Sequence, residues 1–582
     1  MIRFAILIAL VVASPLNAAE PSPPLGTKIA DFTLTNAATN NEWNFVEQTR
    51  GAKAVVVAFP GTACPVSLAY VSRLIDLEKK YREEGVKFVA VYSHVSDEAA
   101  EIAKQAKHFA IPYPVLKDDG TKVADKFHVD RIPAVYLLDA TRTVRYKGRI
   151  DDQFSLGVHR SKATTRELAN AIEAVLEGAD VKVKETVASG CKLTREKPGA
   201  SSGPLVTYTK EVSRIIQTKC LECHRSGEAA PFALDSYRAA KSWAGMMREV
   251  VADDVMPPWH ADAAFGHFKN DRRLTAEDKA TLLKWIDQGC QEGVAKDLPQ
   301  PRQFLDGWRL PREPDEIIKL RKPIAVPANS FLGFGVPYQY VPVGEPFAED
   351  KWIEAVEVRP EYRAVVHHII CFIIPPGGTI FDVAGRDFGR HMLGAYVPGD
   401  APVVMPPGHA RKIAKGSQLM FEIHYTPNGK AGPDRSMVGV CYAKGPPKHE
   451  IQNASIMNGR FLIPPGAENH EVKSEMEFPK DTTLFIFTPH MHVRGKAFKM
   501  ELVSKEGSRE VLLNVPKYDF NWQANYELAK PRDIPAGSKI ECTAHYDNSK
   551  KNPTNPDPSA RVRWGNQTWE EMMIGFVVYT EK

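Results

Sequence analysis

Three different hydrophobic patterns follow one another along the chain. Between residues 22 and 185, short β-branched apolar runs such as 54–59 alternate with longer amphipathic stretches such as 68–84. This alternation predicts an α/β domain around a central sheet. Residues 205–293 carry a helical pattern, and residues 315–582 show short strand-like runs with frequent Pro and Gly. We therefore expect a multidomain chain with an α/β domain, then an all-α domain, then an all-β region.

Two polar stretches divide these regions. They cover residues 186–204 and 294–314, and their content of Pro, Gly, Ser and Gln predicts linkers. The third region then divides into two all-β sandwich lobes, 315–448 and 449–582. Residues 1–19 have the basic start, apolar run and small residues of a secretory signal peptide. Because no later run reaches about 18 apolar residues, we expect a periplasmic or secreted protein without a stable membrane anchor.

Composition and charge exclude some classes of partner. The 582 residues carry a formal net charge of +4, charged residues make up 25% of the chain, and no dense basic tract is present. Nucleic acid is therefore not an expected partner. Eight cysteines are too few for a disulfide scaffold in a chain of this length, so each cysteine is interpreted from its neighbours.

Cys64 follows a strand-like run and opens a helix-like stretch. This position places its sulfur at a helix N-terminus, where the helix dipole favours thiolate. Ile132-Pro133-Ala134 predicts a cis-proline turn that faces the thiol. Segment 22–185 resembles the redoxin branch of the thioredoxin superfamily, although Ser67 stands where a CxxC pair has its second cysteine. Cys64 is either a redox thiol, with Cys191 as its nearest candidate partner, or an idle residue in a retained fold.

Cys220-Leu221-Glu222-Cys223-His224 has the spacing of a c-type haem attachment motif. Its two thiols would add to the haem vinyl groups, and His224 would supply the proximal imidazole. A distal ligand is expected downstream, where Met256 is preferred over His260 because prolines present it rigidly. This stretch resembles class I cytochrome c, in which methionine is the usual distal ligand. Zinc or a plain disulfide is the alternative, but no second CxxC or HxxxH motif completes a zinc site nearby.

Histidines mark the candidate chemistry of the all-β region. Alternation along a strand places His490 and His492 on one face, so that they can share a metal. The adjacent His367 and His368 can share a metal only if their strand bends. His424, at another strand-like position, offers a third imidazole to that pair. Imidazole binds zinc, copper and iron alike, whereas an added thioether favours copper.

These histidines, with a later methionine, resemble the ligands of the copper type II ascorbate-dependent monooxygenases, the peptidylglycine and dopamine hydroxylating group. The motifs that carry the resemblance are Val366-His367-His368-Ile369, Glu422-Ile423-His424-Tyr425, Pro489-His490-Met491-His492 and Glu570-Glu571-Met572-Met573. The resemblance implies two jelly-roll lobes that meet across an open cleft. It also implies an electron-transfer copper site at His367, His368 and His424. The oxygen-activating copper and the catalytic centre would be at His490, His492 and Met572.

The sequence thus predicts an exported copper-dependent monooxygenase that hydroxylates a C–H bond of a small-molecule or peptide substrate with O2. The expected cofactors are two copper ions and one covalent c-type haem. Electrons would reach the copper through the haem from a periplasmic donor, or from ascorbate. Two alternatives remain open: a periplasmic haem and copper electron-transfer protein without hydroxylase activity, and a redoxin that handles thiols, disulfides or peroxide.

Overall fold

A computed structural model describes most of the chain. The described residues are 25–160, 162–195, 203–226, 228, 230–304, 307–328, 336–383, 388–397, 401–427 and 431–582. The predicted signal peptide, residues 1–19, lies outside them, as does part of the predicted linker 186–204. No helix within these ranges is long and apolar enough to cross a membrane.

The first domain is an α/β domain, as predicted. Its elements are β1 (Thr33–Asn36), β2 (Glu42–Asn44), α1 (Phe45–Gln48), β3 (Ala54–Phe59), α2 (Pro65–Tyr81), β4 (Val86–Tyr92), α3 (Ala99–Phe109), β5 (Val115–Lys117), α4 (Lys122–Lys126), β6 (Arg131–Ile132), β7 (Ala134–Asp139), β8 (Val144–Gly148), β9 (Phe154–Ser155), β10 (Val158–His159) and α5 (Glu167–Leu176). Seven strands form one sheet in the order β2-β1-β5-β4-β3-β7-β8. Strand β3 is apolar and buried at every position, which is typical of a strand covered on both faces.

The middle segment is built from short helices and one short strand. Its elements are β11 (Cys191–Lys192), α6 (Ser213–Lys219), α7 (Tyr237–Ser242), α8 (Ala244–Ala252) and α9 (Ala276–Asp287). We predicted a separate all-α domain behind a linker, but the buried Trp243 and Trp285 belong to the same hydrophobic cluster as the strands of the first domain. The reason is that β11, inside the predicted linker, pairs with β6 and draws the segment onto the first domain. An ion pair between Arg131 and Glu249 lies across the same boundary.

The first β lobe is a sandwich of two main sheets. Its elements are β12 (Glu316–Lys319), β13 (Ile324–Val326), β14 (Gln339–Val343), β15 (Lys351–Arg359), β16 (Val366–Ile374), α10 (Ile380–Val383), β17 (Met392–Tyr396), β18 (Val403–Val404), β19 (His409–Ile413), β20 (Gln418–Tyr425), β21 (Gly432–Asp434), β22 (Met437–Tyr442) and β23 (His449–Glu450). One sheet has the order β12-β22-β15-β19-β23 and the other β14-β20-β16-β17. The second predicted linker packs on this lobe, because Leu310 is buried against Ala355 and Cys441.

The second β lobe repeats the sandwich. Its elements are β24 (Gln452–Met457), β25 (Leu462–Ile463), β26 (His470–Phe478), β27 (Thr482–His490), β28 (Gly495–Val503), β29 (Arg509–Val515), β30 (Tyr526–Ile534), β31 (Ser538–Tyr546), β32 (Val562–Arg563) and β33 (Ile574–Glu581). Its two four-stranded sheets have the orders β24-β33-β27-β30 and β26-β31-β28-β29. The all-β character of the C-terminal region is therefore confirmed.

The two lobes touch each other beside their histidines. Phe372 and Met420 of the first lobe form one buried apolar cluster with Met572 and Phe576 of the second. The backbone N–H of Gly389 also donates to the Ser455 hydroxyl across the same boundary, at 2.7 Å. At this place the lobes are in packed contact, and the apolar side chains that meet there exclude water. The open cleft implied by the resemblance can therefore lie only elsewhere along the boundary.

A buried carboxylate holds the ends of two strands of the first lobe together. Asp434 is fully buried and accepts the backbone N–H groups of Glu361 and Tyr362 at 3.1 and 2.9 Å. Its other oxygen accepts the hydroxyls of Tyr425 and Ser436 at 2.8 and 2.7 Å. Because Tyr425 follows His424, and the loop with Tyr362 precedes His367, this carboxylate ties together the two segments that carry these histidines.

Replacement of Asp434 should destabilise the first lobe. Asp434→Ala leaves buried donors without an acceptor and should lower the free energy of unfolding by roughly 3 kcal/mol. Ser436→Ala removes only one of the four bonds and should cost about 1 kcal/mol. Calorimetric unfolding of the full chain measures both variants, and equal losses for the two would contradict this account.

Candidate metal and thiol sites

The first histidine set lies at a bulge in β16. The pairing of β16 with β20 changes register between Val366 and His368, and such a bulge turns neighbouring side chains toward one point. The Nδ1 atoms of His367 and His368 are 3.1 Å apart. Two nitrogens that each bind one metal at about 2.0–2.1 Å lie roughly 3 Å from each other. The bend that adjacent histidines require is therefore present, and the pair fits a shared ion.

His424 completes this set from the neighbouring strand. It stands opposite His368 in the β16–β20 register, and the three histidines offer ligand nitrogens that all lie within 4.8 Å of one another. Burial lowers the pKa of His368 to about 4, so its imidazole is neutral at physiological pH and able to bind a metal. The three predicted ligands of the first copper thus come together in the fold.

Two further side chains surround the first set. The Tyr338 ring lies 4.6 Å from the His424 ring and 5.5 Å, edge-on, from the His368 ring. The Glu422 carboxylate lies 3.8 Å from His368 Nε2, and burial raises its pKa to about 7 although a hydrogen bond with Tyr340 opposes this. Groups in such positions orient metal-binding imidazoles. Sequence reasoning missed both roles, although Glu422 shares a strand face with His424 by simple alternation.

The second histidine set lies at the end of β27. The rings of His490 and His492 are 5.3 Å apart. Nδ1 of His490 donates to the side-chain oxygen of Gln523 at 2.6 Å, and Nδ1 of His492 donates to the backbone carbonyl of Glu570 at 3.2 Å. Such bonds fix a ring with its other nitrogen, Nε2, toward a metal. Burial lowers the pKa of His490 to about 4 and that of His492 well below its usual range, so both rings stay neutral.

The structure separates the two adjacent methionines that follow Glu571. Met573 is fully buried in the core of the second lobe. Met572 belongs instead to the apolar cluster at the lobe boundary. Phe576 of this cluster lies 6.3 Å from the His490 ring. Met572 is therefore the methionine at the lobe boundary, in the same cluster as the ring that neighbours His490, and its role as a thioether ligand of copper stays a prediction.

Glu571 joins the segment of the two histidines to the segment of Met572. Its two carboxylate oxygens accept the backbone N–H groups of His492 and Arg494 at 2.8 and 2.6 Å. Arg494 is itself buried and donates to Asn548 and to the carbonyl of Trp569, both at 2.9 Å. Sequence reasoning did not identify this support, in which a buried carboxylate fixes the backbone beside two predicted ligands.

Cys64 and Cys191 face each other in the first domain. Cys64 is the N-cap residue of α2, and the predicted cis bond between Ile132 and Pro133 is confirmed. The Cys64 thiol lies 3.4 Å from the Ile132 carbonyl, and Cys191 pairs with Ile132 in the β11–β6 register. The two side chains are 0% and 2% exposed and are not joined in a disulfide. The structure therefore brings together the two thiols that the sequence suggested as partners.

The Cys64 thiol is poised to ionise. Burial on its own raises the pKa of Cys64, but hydrogen bonds with the Cys191 thiol and with Ser67 outweigh this and lower it to about 7. The same hydrogen bond, together with burial, raises the pKa of Cys191. Cys64 is thus the thiol of the pair whose pKa is lowered, and Cys191 the thiol whose pKa is raised.

The CxxCH motif forms a tight turn after α6. The backbone N–H of His224 donates to the Cys220 carbonyl at 2.9 Å, and both cysteines are half-buried thiols. Nδ1 of His224 donates to the Phe232 carbonyl at 3.0 Å, which leaves Nε2 for an iron atom. The spacing of the motif and the orientation of the His224 ring are compatible with covalent attachment, and the haem itself stays a prediction.

The structure does not select the distal haem ligand. Met256 is half-buried, and its backbone N–H donates to the Val250 carbonyl at 3.0 Å. His260 follows Trp259, whose ring packs 4.9 Å from Tyr526 of the second lobe. Nε2 of His260 is buried without a hydrogen-bond partner among the described residues. The preference for Met256 stays a prediction.

Loss of the Glu571 carboxylate should empty the second histidine set of copper and leave the first intact. Glu571→Gln sets an amide N–H₂ against a backbone N–H, so the protein should bind one copper per chain instead of two. Glu570→Gln is the matched control, because the backbone carbonyl that holds His492 remains. Elemental analysis after dialysis measures both, and full copper retention by Glu571→Gln would contradict the assigned support.

Comparisons with known proteins identify one domain near each end of the chain. Residues 25–147 match the AhpC/TSA family, and residues 454–582 match the copper type II ascorbate-dependent monooxygenase, C-terminal domain. The thiol-disulfide oxidoreductase ResA of Geobacillus kaustophilus is 24% identical over 151 residues, which are 25% of this chain and 84% of that protein. ResA of Bacillus cereus is 29% identical over 87 residues, 15% of this chain and 49% of that protein.

Solved structures match part of this chain. A hypothetical protein of Sinorhizobium meliloti 1021 is 26% identical, and the match covers 31% of this chain and 98% of that one, with a TM-score of 0.28. Peroxidoxin BcpB of Mycobacterium tuberculosis is 21% identical, and the match covers 26% of this chain and 94% of that one, with a TM-score of 0.20.

The two family matches lie at opposite ends of the chain, and neither matched range includes the CxxCH motif. The chain therefore carries an N-terminal redoxin domain and a C-terminal copper type II monooxygenase domain.

Proposed function

We propose that this protein is an exported copper-dependent monooxygenase that uses O2 to hydroxylate a C–H bond of a small-molecule or peptide substrate. One observation carries the proposal. Two donor sets of different chemistry, His367, His368 and His424 on one lobe and His490, His492 and Met572 on the other, lie at the same lobe boundary. The match of residues 454–582 to the monooxygenase domain supports it.

The two donor sets have different surroundings, and we assign a different role to each set. Copper held by such ligands exchanges single electrons and activates O2. The all-imidazole set suits electron transfer, and the buried Glu422 side chain and the Tyr338 ring pack beside it. The set with Met572 borders the apolar cluster, so the reacting group of a substrate would lie among apolar side chains. That environment favours an apolar C–H group as the reacting part of the substrate.

A covalent haem would supply electrons to the first set. In this proposal Cys220 and Cys223 would attach a haem covalently, and His224 and Met256 would bind its iron. Contact between the CxxCH turn and the first lobe supports it. Glu228, four residues after His224, pairs with Arg363, four residues before His367, at 2.9 Å. The haem would take electrons from a periplasmic donor, and ascorbate is the alternative reductant.

Copper and haem content test this proposal directly. The protein, exported in cells that attach haem and grown with sufficient copper, should contain two coppers and one covalent haem per chain. Elemental analysis and a reduced-minus-oxidised spectrum measure both. Haem without copper would reject the monooxygenase and leave an exported electron carrier, the second function considered from the sequence.

A variant without haem tests whether electrons reach the copper through the haem. Cys220→Ala with Cys223→Ala should remove the haem and slow the oxygen consumption supported by a one-electron protein donor. Ascorbate-supported oxygen consumption is the control, because it does not require the haem. Equal rates with and without haem, whatever the donor, would reject the haem as the route.

A second function is favoured by the paired thiols: Cys64 and Cys191 form a reversible dithiol–disulfide couple. The Cys64 thiolate attacks a low-molecular-weight disulfide and displaces one thiolate, which leaves a mixed disulfide on Cys64. Cys191 loses its proton, attacks the Cys64 sulfur and displaces the second thiolate. One internal disulfide forms and one external disulfide becomes two thiols, so atoms and electrons balance. The redoxin domain and its similarity to ResA support this activity.

Oxidised glutathione should convert this pair to a disulfide. After equilibration, non-reducing peptide mapping should find the Cys64 and Cys191 peptides joined in the wild type and in Cys290→Ser, and separate in Cys64→Ser. In the reduced protein, alkylation of Cys64 should accelerate as pH rises through about 7, since the thiolate is the reactive form. Separate alkylation of both cysteines after oxidation would reject the couple.

A further inference from the structure

One aromatic ring lies between the two donor sets. The Phe520 ring stacks on the His367 ring at 5.3 Å and 17°, and it meets the His492 ring edge-on at 5.9 Å and 82°. His367 belongs to the first lobe and His492 to the second. Phe520 itself lies in the turn between β29 and β30 and is partly exposed. A single side chain from one loop therefore touches a predicted ligand of each copper.

The loop that carries Phe520 is fixed on both sides of it. The Tyr518 hydroxyl accepts the backbone N–H of Met491 at 3.0 Å and donates to the Met491 carbonyl at 2.8 Å. Met491 is the residue between the two histidines of the second set. On the other side, Gln523 accepts from His490 at 2.6 Å. Tyr518 thus binds the backbone between the two histidines, and Gln523 binds one of them. The position of Phe520 is therefore fixed by neighbours that also hold the second donor set.

A third contact comes from outside the β lobes. The side-chain amide of Asn521 donates to the carbonyl of Gly157 at 3.1 Å, in the turn between β9 and β10 of the redoxin domain. The ring of Phe520 is held in contrast by ring contacts with the histidines, which are weaker and less directional than the bonds of its neighbours. The loop backbone therefore does not depend on the Phe520 ring, so a change of this side chain should leave the loop in place.

Most of the histidines in the two donor sets are buried. His368, His424 and His492 are each less than a tenth exposed, whereas His367 and His490 are partly exposed. On the inner side, the apolar cluster with Met572 and Phe576 closes the boundary. An apolar ring over the partly exposed side keeps water and solutes from the imidazoles that it covers.

We propose that Phe520 is a shared access residue: its ring separates the two copper sites and shields both of them from solutes. This proposal rests on the proposed function, because it takes both donor sets to hold copper. No sequence pattern indicates this role, because a phenylalanine in a loop is ordinary until two histidines from distant segments are found in contact with its ring.

The test is the rate at which a chelator removes copper from the loaded full-length protein. Both coppers are reduced with ascorbate without oxygen, and bathocuproine disulfonate is then added in excess. Phe520→Ala should release both coppers about tenfold faster than the wild type, a change of about 1.4 kcal/mol in the barrier. Phe520→Tyr keeps the ring and should release copper at the wild-type rate. Lys517→Ala, an exposed change in the same loop, should also match the wild type.

Each outcome decides the proposal. Equal rates for Phe520→Ala and the wild type would overturn it, and so would faster release of only one copper, since the ring would then not be shared. Faster release of both coppers from Phe520→Ala, together with release from Phe520→Tyr at the slower wild-type rate, would support it. Failure of the wild type to load two coppers would reject both this inference and the proposed function. Full loading and a Phe520 effect, without hydroxylation of any substrate, would reject only the proposed function.

Discussion

The apolar packing between the two β lobes determines how the two candidate copper sites lie relative to each other. Phe372 and Met420 meet Met572 and Phe576 in one buried cluster, and the histidine sets lie beside it. Water released from such a contact stabilises the closed arrangement in proportion to the apolar area that it covers. The distance between the two donor sets is therefore a property of this contact, because no single sheet contains both sets.

Burial near the lobe boundary also determines the protonation of the neighbouring side chains. In water, an imidazole titrates near physiological pH, but burial holds His368, His490 and His492 neutral. Carboxylates beside them, Glu422 and Glu571, are likewise shifted toward their neutral forms by burial. The boundary between the lobes is thus a region of low polarity in which nitrogen and sulfur donors compete with few water molecules for a soft metal.

Much of the architecture could be predicted from residue patterns, and the failures have physical causes. The pattern correctly placed Cys64 at the start of α2, but the hydrogen bonds with Cys191 and Ser67 that lower its pKa come from the fold. His490 and His492 lie close together as predicted, although His492 follows the end of β27 and alternation alone does not account for its position. The convergence of His367 and His368 required a bulge, which depends on how β16 pairs with β20 and is invisible in one strand. Met572 and Met573 could not be distinguished either, because only the packed core shows which side of the chain faces inward.

The pairing of β11 with β6 has a consequence for how this chain can be divided. A composition-based boundary near residue 186 suggests modules that evolution joined end to end, yet the core of the redoxin domain continues through the helical segment to Cys290. A fragment cut at that boundary would lose Cys191 and expose the apolar surface that Trp243 covers. The redoxin domain and the helices through α9 therefore share one core, while the segment with Trp259 also packs on the second lobe, so a fragment that ends beyond α9 still exposes the Trp259 ring.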